Sequence, residues 1–276
     1  MSGGSVLDDL ARALDGGTVR VVDLTAPLSE ETPIIPLPAD RGQPWRFARQ
    51  VISHFDDAGP HVYWNNIQLS EHTGTHFDAP AHWLSGKGGQ HVGEVPADRL
   101  VRPAVVLDAS EHARRDPDFL LERRHVEEWI DRHGPLPEGG WLLYRTGWDA
   151  RATDAEGFLN GGHTPGIAVE CARWLASTPI GGIGVETVGT DAGRAGDFDQ
   201  PYPCHWFLHG AGKYGLTQLR NLGELPPRGA VLFTGPLPIV GGSGSPTRVL
   251  ALVESTGSTR STTSIASTAS PEGAPR

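Results

Sequence analysis

The run His72-Thr-Gly-Thr-His76-Phe-Asp78-Ala-Pro-Ala-His82 is the stretch from which the fold and the chemistry of this chain can be worked out. Its two β-branched threonines, its glycine and its proline predict an extended or loop path, because all four disfavour a helix interior. Side chains alternate between faces along an extended backbone. We therefore expect His72, His76 and Asp78 to share one side, while the proline bends the chain and frees His82 from that row.

The types of these residues suit a divalent metal ion. Two neutral imidazoles and one carboxylate form a ligand set that leaves coordination positions open for water and substrate. A metal ion bound in this way activates water and polarises a carbonyl group, which is what a hydrolytic site needs. His82 is suited to move protons, since a free imidazole titrates near neutral pH. The run predicts a metal site on His72, His76 and Asp78, and the ligand types leave zinc, manganese and iron open.

Composition narrows the class of protein. The 276 residues include 33 acidic and 23 basic side chains, for a net charge of −10, which argues against a nucleic-acid binder. No stretch approaches the ~18 apolar residues of a membrane span, and the first residues lack the pattern of a secretory signal. Cys171 and Cys204 are too few for a disulfide framework and are expected to be small buried side chains. We expect a cytoplasmic protein without membrane or nucleic-acid partners.

Apolar patterning predicts one compact α/β domain with a mixed sheet at residues 18–254. Residues 1–17 are expected to contain an N-terminal helix, and residues 255–276 a disordered tail, since the tail lacks apolar periodicity. Helices are expected within 117–133 and 166–177. The predicted strands are Val19–Leu24, Tyr63–Leu69, Val101–Leu107, Trp141–Tyr144, Ile180–Val188, Ala230–Thr234 and Arg248–Glu254.

Aromatic residues near the histidine run could form walls for a flat bicyclic substrate. Trp64, Phe77 and Trp83 are the candidates for substrate binding, with burial in the core as the alternative. His205 is a further candidate, although its local sequence alone favours a structural histidine. His209 lies four residues later without a third ligand-type residue nearby, and a structural function is expected for it.

Two acidic residues and one Gly-rich stretch have more than one possible function. Glu186 and Asp191 could orient a histidine or cap a turn with equal plausibility. The Gly-rich stretch Gly241–Ser245 lacks the residues of a phosphate loop and is interpreted as a flexible turn. This stretch ends in Ser245 where a Gly-x-Ser-x-Gly motif needs glycine, and the chain has no such motif between a strand and a helix, so a serine mechanism is not expected.

The histidine run, together with Gly182–Asp191 and the Pro-Cys-His-Trp segment at His205, resembles the signature of the metal-dependent cyclase-like hydrolases. This family includes bacterial kynurenine formamidases and isatin hydrolases, and the resemblance spans roughly residues 20 to 254. It implies a swivelling β/β/α fold and assembly as a homodimer or homotetramer. It also implies that His72, His76 and Asp78 bind the metal, that His82 acts as catalytic base or acid, and that His205 lies near the active site.

One departure from the family pattern affects the metal count. The two-metal formamidases hold their second metal with a histidine and a glutamate twelve residues later, and counting from His205 that position is Thr217 here. Because threonine is a poor ligand, we expect one divalent ion, Mn²⁺ or Zn²⁺, as in the isatin hydrolase branch. The predicted function is opening of a cyclic amide of the isatin type. The alternatives are an arylformamidase acting on N-formylkynurenine, a cyclase or dehydratase of secondary metabolism, and a non-catalytic metal-binding protein.

Overall fold

A computed structural model describes residues 5–255, so the predicted tail lies, from residue 256 onward, outside the described residues. The first element is helix α1 (Val6–Asp15), within the region where an N-terminal helix was predicted. The Ser5 hydroxyl accepts a hydrogen bond from the backbone N–H of Leu7 at 3.3 Å and so caps the helix. No helix within residues 5–255 has the length and apolar character that crossing a membrane requires.

The remaining elements of residues 5–255 follow in chain order. The strands are β1 (Val19–Asp23), β2 (Ala48–His54), β3 (Tyr63–Gln68), β4 (His76–Asp78), β5 (Val101–Asp108), β6 (Leu120–Leu121), β7 (Trp141–Arg145), β8 (Gly166–Ile167), β9 (Gly182–Val185), β10 (Tyr214–Thr217), β11 (Ala230–Pro236) and β12 (Gly244–Glu254). The other α-helices are α2 (Ser110–Arg115), α3 (Arg123–His133), α4 (Ala155–Leu159) and α5 (Val169–Ala176).

Seven strands close into a barrel-like ring in the order β12, β11, β5, β7, β9, β10, β4. The ring closes because β4 pairs with β10 along one edge and with the first residues of β12 along the other. Strands β5, β7, β9 and β10 run parallel to one another, and the pairings made by β4, β11 and β12 are antiparallel. The prediction of a single α/β domain with a mixed sheet is therefore confirmed.

Side chains that alternate between the two faces of the central strands pack into two hydrophobic cores. In β5, Ala104 and Val106 point into the ring, whereas Val105 and Leu107 point outward to a layer that includes α3 and α5. All four residues are buried, which explains why Val101–Leu107 has a continuous apolar pattern rather than an alternating one. Each large aliphatic side chain buried in this way contributes about 1.5–3 kcal/mol.

Some predicted elements differ from the structure. Strand β9 is shorter than the predicted Ile180–Val188, and the region 117–133 contains the short strand β6 before α3 begins at Arg123. Strands β2, β4 and β10 were not predicted. Strands β4 and β10 have three and four residues, which is too short for an apolar period to be recognised.

Strands β2 and β3 form a separate two-stranded hairpin with a register shift between Val51 and Ser53. The side chains of Val51, Tyr63, Trp64 and Ile67 on this hairpin are exposed. The predicted strand Tyr63–Leu69 is therefore present, but it contributes to an apolar surface rather than to the main sheet.

Glu186 follows β9 and caps the segment after β7. Its Oε2 accepts backbone N–H groups of Thr146 (2.6 Å), Gly147 (2.6 Å) and Trp148 (3.2 Å), and also the Thr146 hydroxyl. Its Oε1 is buried and has no hydrogen-bond partner among the described residues. Burial, together with the charge of Asp149, raises the pKa of Glu186 to about 7 and outweighs the hydrogen bonds. The sequence left open whether Glu186 orients a histidine or caps a turn, and in the structure it caps a turn.

This raised pKa predicts a pH-dependent stability. A carboxyl group whose pKa is raised by folding favours the folded state when protonated, so its contribution is complete below the ordinary value of 4.5 and is lost as the pH rises through about 7. The free energy of unfolding of the wild type should therefore fall by a few kcal/mol relative to that of Glu186→Gln between these pH values. Denaturant titrations at several pH values measure the difference, and parallel curves for the two proteins would contradict it.

Candidate metal centre

Two histidine side chains converge on one oxygen of Asp78. His72 Nδ1 lies 2.8 Å, and His76 Nε2 3.3 Å, from Asp78 Oδ1. Metal–ligand bonds of about 2.1 Å at right angles place ligand atoms about 3 Å apart. Asp78 Oδ2 is buried and has no hydrogen-bond partner among residues 5–255. The two separations from Asp78 Oδ1 and the buried second oxygen fit a divalent cation bound at Asp78, with His72 and His76 as candidate ligands.

The closure of the ring positions these ligands. His76 and Asp78 point to the same side of β4, and the turn before the strand brings His72 to them. The ring of His76 is fixed because its Nδ1 donates to Gly74 O at 2.8 Å, which leaves Nε2 without a proton in the neutral imidazole. The left-handed backbone of Gly74 (φ +66°) makes this turn possible. Alternation along an extended backbone predicted that His72, His76 and Asp78 lie on the same side, and in the structure they do.

Asp78 is almost completely buried, and its environment favours the charged form. Burial alone would raise the pKa of Asp78. The adjacent side chains of His76 and His72 more than offset burial and hold the pKa of Asp78 well below its ordinary value. The site therefore contains a buried carboxylate surrounded by imidazoles, which is the electrostatic environment that a cation completes.

His82 ends a short 3₁₀ turn, Pro80–His82, and its ring stacks on His72 with centroids 3.9 Å apart. Burial lowers the pKa of His82 to about 2, with smaller contributions from the other histidines. His82 is therefore neutral at physiological pH and can accept a proton. Nitrogen atoms of His72 and His82 and an oxygen of Asp78 lie within 4.8 Å of one another, so His82 faces the same space as the metal ligands.

His205 also lies near Asp78, on a π-helical turn His205–His209. Its Nδ1 lies 2.5 Å from Asp191 Oδ2, and the other oxygen of Asp191 accepts the backbone N–H of Cys204 at 2.7 Å. Burial lowers the pKa of His205, but the hydrogen bond to Asp191 and its charge outweigh burial and raise the pKa. Asp191 is thus the residue that orients a histidine.

His209 also belongs to this cluster, contrary to the purely structural function expected from the sequence. Ligand atoms of Asp78, His205 and His209 lie within 4.8 Å of one another. His209 is 2% exposed, its Nδ1 donates to Lys213 O at 2.9 Å, and its Nε2 has no hydrogen-bond partner in the described part of the chain. The four-residue spacing of His205 and His209 is visible in the sequence. The third residue of the group, Asp78, lies more than a hundred residues earlier and could not be connected with them.

The aromatic candidates separate into three environments. Trp83 lies at the site, with its ring 4.6 Å from that of His205 and 5.4 Å from that of Tyr202, a residue that the sequence did not single out. The prediction that Phe77 binds substrate is wrong. Phe77 lies between two ligands on β4 and therefore points to the other face, where it is completely buried in the core. Trp64 lies on the exposed β2–β3 hairpin, and its contact with substrate stays a prediction.

Known proteins resemble this chain over most of its length. Residues 22–192 match the Cyclase family. An isatin hydrolase of Roseibium aggregatum is 42% identical over 92% of this chain and 99% of that protein. A kynurenine formamidase of Polaromonas naphthalenivorans is 27% identical over 84% of this chain and 91% of that protein.

Two solved structures are similar as well. Isatin hydrolase A from Ralstonia solanacearum has a TM-score of 0.88 and 48% identity, covering 92% of this chain and 99% of that one. An isatin hydrolase bound to the product analogue thioisatinate has a TM-score of 0.89 and 42% identity, covering 92% and 100%. The similarity therefore includes both the fold and the sequence.

The geometry predicts the effect of removing the central ligand. Asp78→Asn keeps the shape of the side chain but removes its negative charge. We expect the dissociation constant for Mn²⁺ or Zn²⁺ to rise more than about 100-fold, which exceeds the effect of losing a residue that only orients a ligand. Titration of metal-free protein by calorimetry measures this constant. Asp191→Asn, which changes the orienting residue of His205, is the matched control and should keep most of the affinity. Equal affinities for wild type and Asp78→Asn would exclude this metal centre.

Proposed function

This chain belongs to the Cyclase family, and on that basis we propose that it is a metal-dependent amidohydrolase that opens a cyclic amide of the isatin type. The observation that supports the proposal most directly is the approach of His72 Nδ1 and His76 Nε2 to Asp78 Oδ1, with the neutral His82 stacked on His72. The 42% identity with an isatin hydrolase over 92% of the chain supports the same substrate class.

The divalent ion, when bound, lowers the pKa of a water ligand and polarises the substrate carbonyl. His82 accepts the proton that the attacking water loses as its oxygen bonds to the carbonyl carbon. His82 then returns this proton to the ring nitrogen as the carbon–nitrogen bond breaks. Water is consumed: one of its protons ends on the amine, the other leaves to solvent as the new carboxyl group ionises, and the product carries a carboxylate and a free amine.

His205 and Trp83 complete this proposal. Asp191 favours the protonated form of His205, which places positive charge beside the space where the carbonyl oxygen becomes negative. Trp83 offers a flat apolar surface beside His205 for a bicyclic substrate.

We also propose a single metal ion, Mn²⁺ or Zn²⁺. Thr217 is completely buried and pairs with His76 across β10 and β4, with its hydroxyl oxygen 2.8 Å from His76 Nδ1. A neutral hydroxyl at this position supports the orientation of His76 but offers no carboxylate to a second ion. This difference also favours cyclic amide hydrolysis over the arylformamidase alternative.

Two broader expectations stay predictions. The family resemblance implies a homodimer or homotetramer, and the exposed apolar side chains of the β2–β3 hairpin are consistent with contact between copies. Location in the cytoplasm agrees with the two free, buried cysteines, Cys171 and Cys204.

Turnover assays with isatin and N-formylkynurenine test the proposed function. The Mn²⁺-loaded protein should convert isatin to a carboxylate product, and His82→Ala should lower kcat/KM for isatin at least about 100-fold, because general base catalysis contributes that much. His61→Ala, which changes an exposed histidine of the hairpin, should retain full activity. Preferential turnover of N-formylkynurenine would favour the formamidase alternative, and equal activity of His82→Ala and wild type would contradict the mechanism.

A further inference from the structure

The Gly-rich loop before β12 is held against the metal centre rather than being a flexible turn. Ser243 O accepts the backbone N–H of Ala79 at 3.0 Å, and Gly242 O accepts that of Val92 at 2.9 Å. These hydrogen bonds attach the loop to the segment that follows β4. The interpretation of Gly241–Ser245 as a flexible turn is therefore wrong, because the sequence showed its glycines but not the strand against which they pack.

A hydrogen-bond chain runs through this loop to His72. Oε2 of Glu71 accepts both the backbone N–H of Ser243 (3.0 Å) and its hydroxyl (2.7 Å). The Ser243 Oγ also lies 2.9 Å from His72 Nε2. A serine hydroxyl has one hydrogen, and here Glu71 receives it. The Ser243 oxygen must therefore accept the second hydrogen bond, which means that His72 Nε2 carries a proton and donates it.

This assignment determines what the other nitrogen of His72 can do. In a neutral imidazole with a proton on Nε2, Nδ1 carries a lone pair. That lone pair faces Asp78 Oδ1 at 2.8 Å, so two electron-rich atoms point at each other. Such an arrangement is stable when a cation lies between them. The hydrogen-bond chain thus prepares Nδ1 as a metal ligand.

Gly244 restricts the ring of His72 further. A Cβ atom on Gly244 would lie 2.5 Å from His72 Cε1 and 2.6 Å from Phe77 O, closer than real Cβ contacts. The imidazole therefore packs directly on the backbone of β12. Only glycine leaves room for the ring in this orientation.

We propose that Glu71 and Ser243 are positioning residues that fix the tautomer of His72 and present its Nδ1 to the metal ion. The proposal rests on the metal site of the proposed function, but not on the identity of the substrate. Groups that orient a ligating histidine typically change metal affinity 10- to 100-fold when they are removed.

Zinc titration of the metal-free protein, with Zn²⁺ alone as the probe, is the first test. We expect Ser243→Ala to raise the dissociation constant about 10- to 100-fold, and Glu71→Ala to change it in the same direction. Ser245→Ala is the matched control. Ser245 is buried, and its hydroxyl bonds to Leu237 N and Pro246 O instead of a histidine, so the metal affinity of this variant should stay within about twofold of wild type. Thermal unfolding of each metal-free variant verifies that it is folded.

The second test reads the tautomer directly. Nitrogen-15 NMR of the Zn²⁺-loaded wild type, with the His72 signals assigned by their loss in His72→Gln, should show a proton on Nε2 and a metal bond at Nδ1. A proton on Nδ1 would overturn the proposal, as would unchanged affinity in both Ser243→Ala and Glu71→Ala. Neither test uses amide turnover, so a failure of the proposed reaction would leave these results intact and distinguishable.

Discussion

The buried carboxylate of Asp78 is the constraint on which the rest of the structure depends. A charged group that is 1% exposed is costly unless opposite charge or hydrogen bonds surround it. Here His72 and His76 lie beside one of its oxygens, and ligand atoms of His205 and His209 lie within 4.8 Å of the carboxylate. The histidines come from two distant parts of the chain, and a divalent cation is the partner that would neutralise the carboxylate most directly.

The same short strand closes the sheet and carries this carboxylate. Strand β4 has only three residues, yet it pairs with β10 and β12, and its middle residue, Phe77, fills the interior of the ring. His76 and Asp78 therefore point away from the core, to the face where β10 supplies Thr217 and the start of β12 approaches His72. Fold closure and ligand geometry depend on one set of backbone hydrogen bonds, so neither can change independently of the other.

Local patterns were sufficient to predict that His72, His76 and Asp78 lie together, but not which other residues surround them. Alternation in the run His72–His82 placed three ligands together, and the apolar run Val101–Leu107 indicated a buried strand. The same alternation places Phe77 on the opposite face, which shows that proximity in sequence to a ligand is weak support for substrate contact. His209 and Ser243 could not be recognised, because their partners lie over a hundred residues away and meet them only through ring closure.

A crystal structure of the Mn²⁺-loaded protein with anomalous diffraction at the manganese edge tests the central claim most directly. The account predicts one anomalous peak per chain, within about 2.3 Å of His72 Nδ1, His76 Nε2 and Asp78 Oδ1. A peak among Asp78, His205 and His209 instead, or two peaks of equal height, would contradict it.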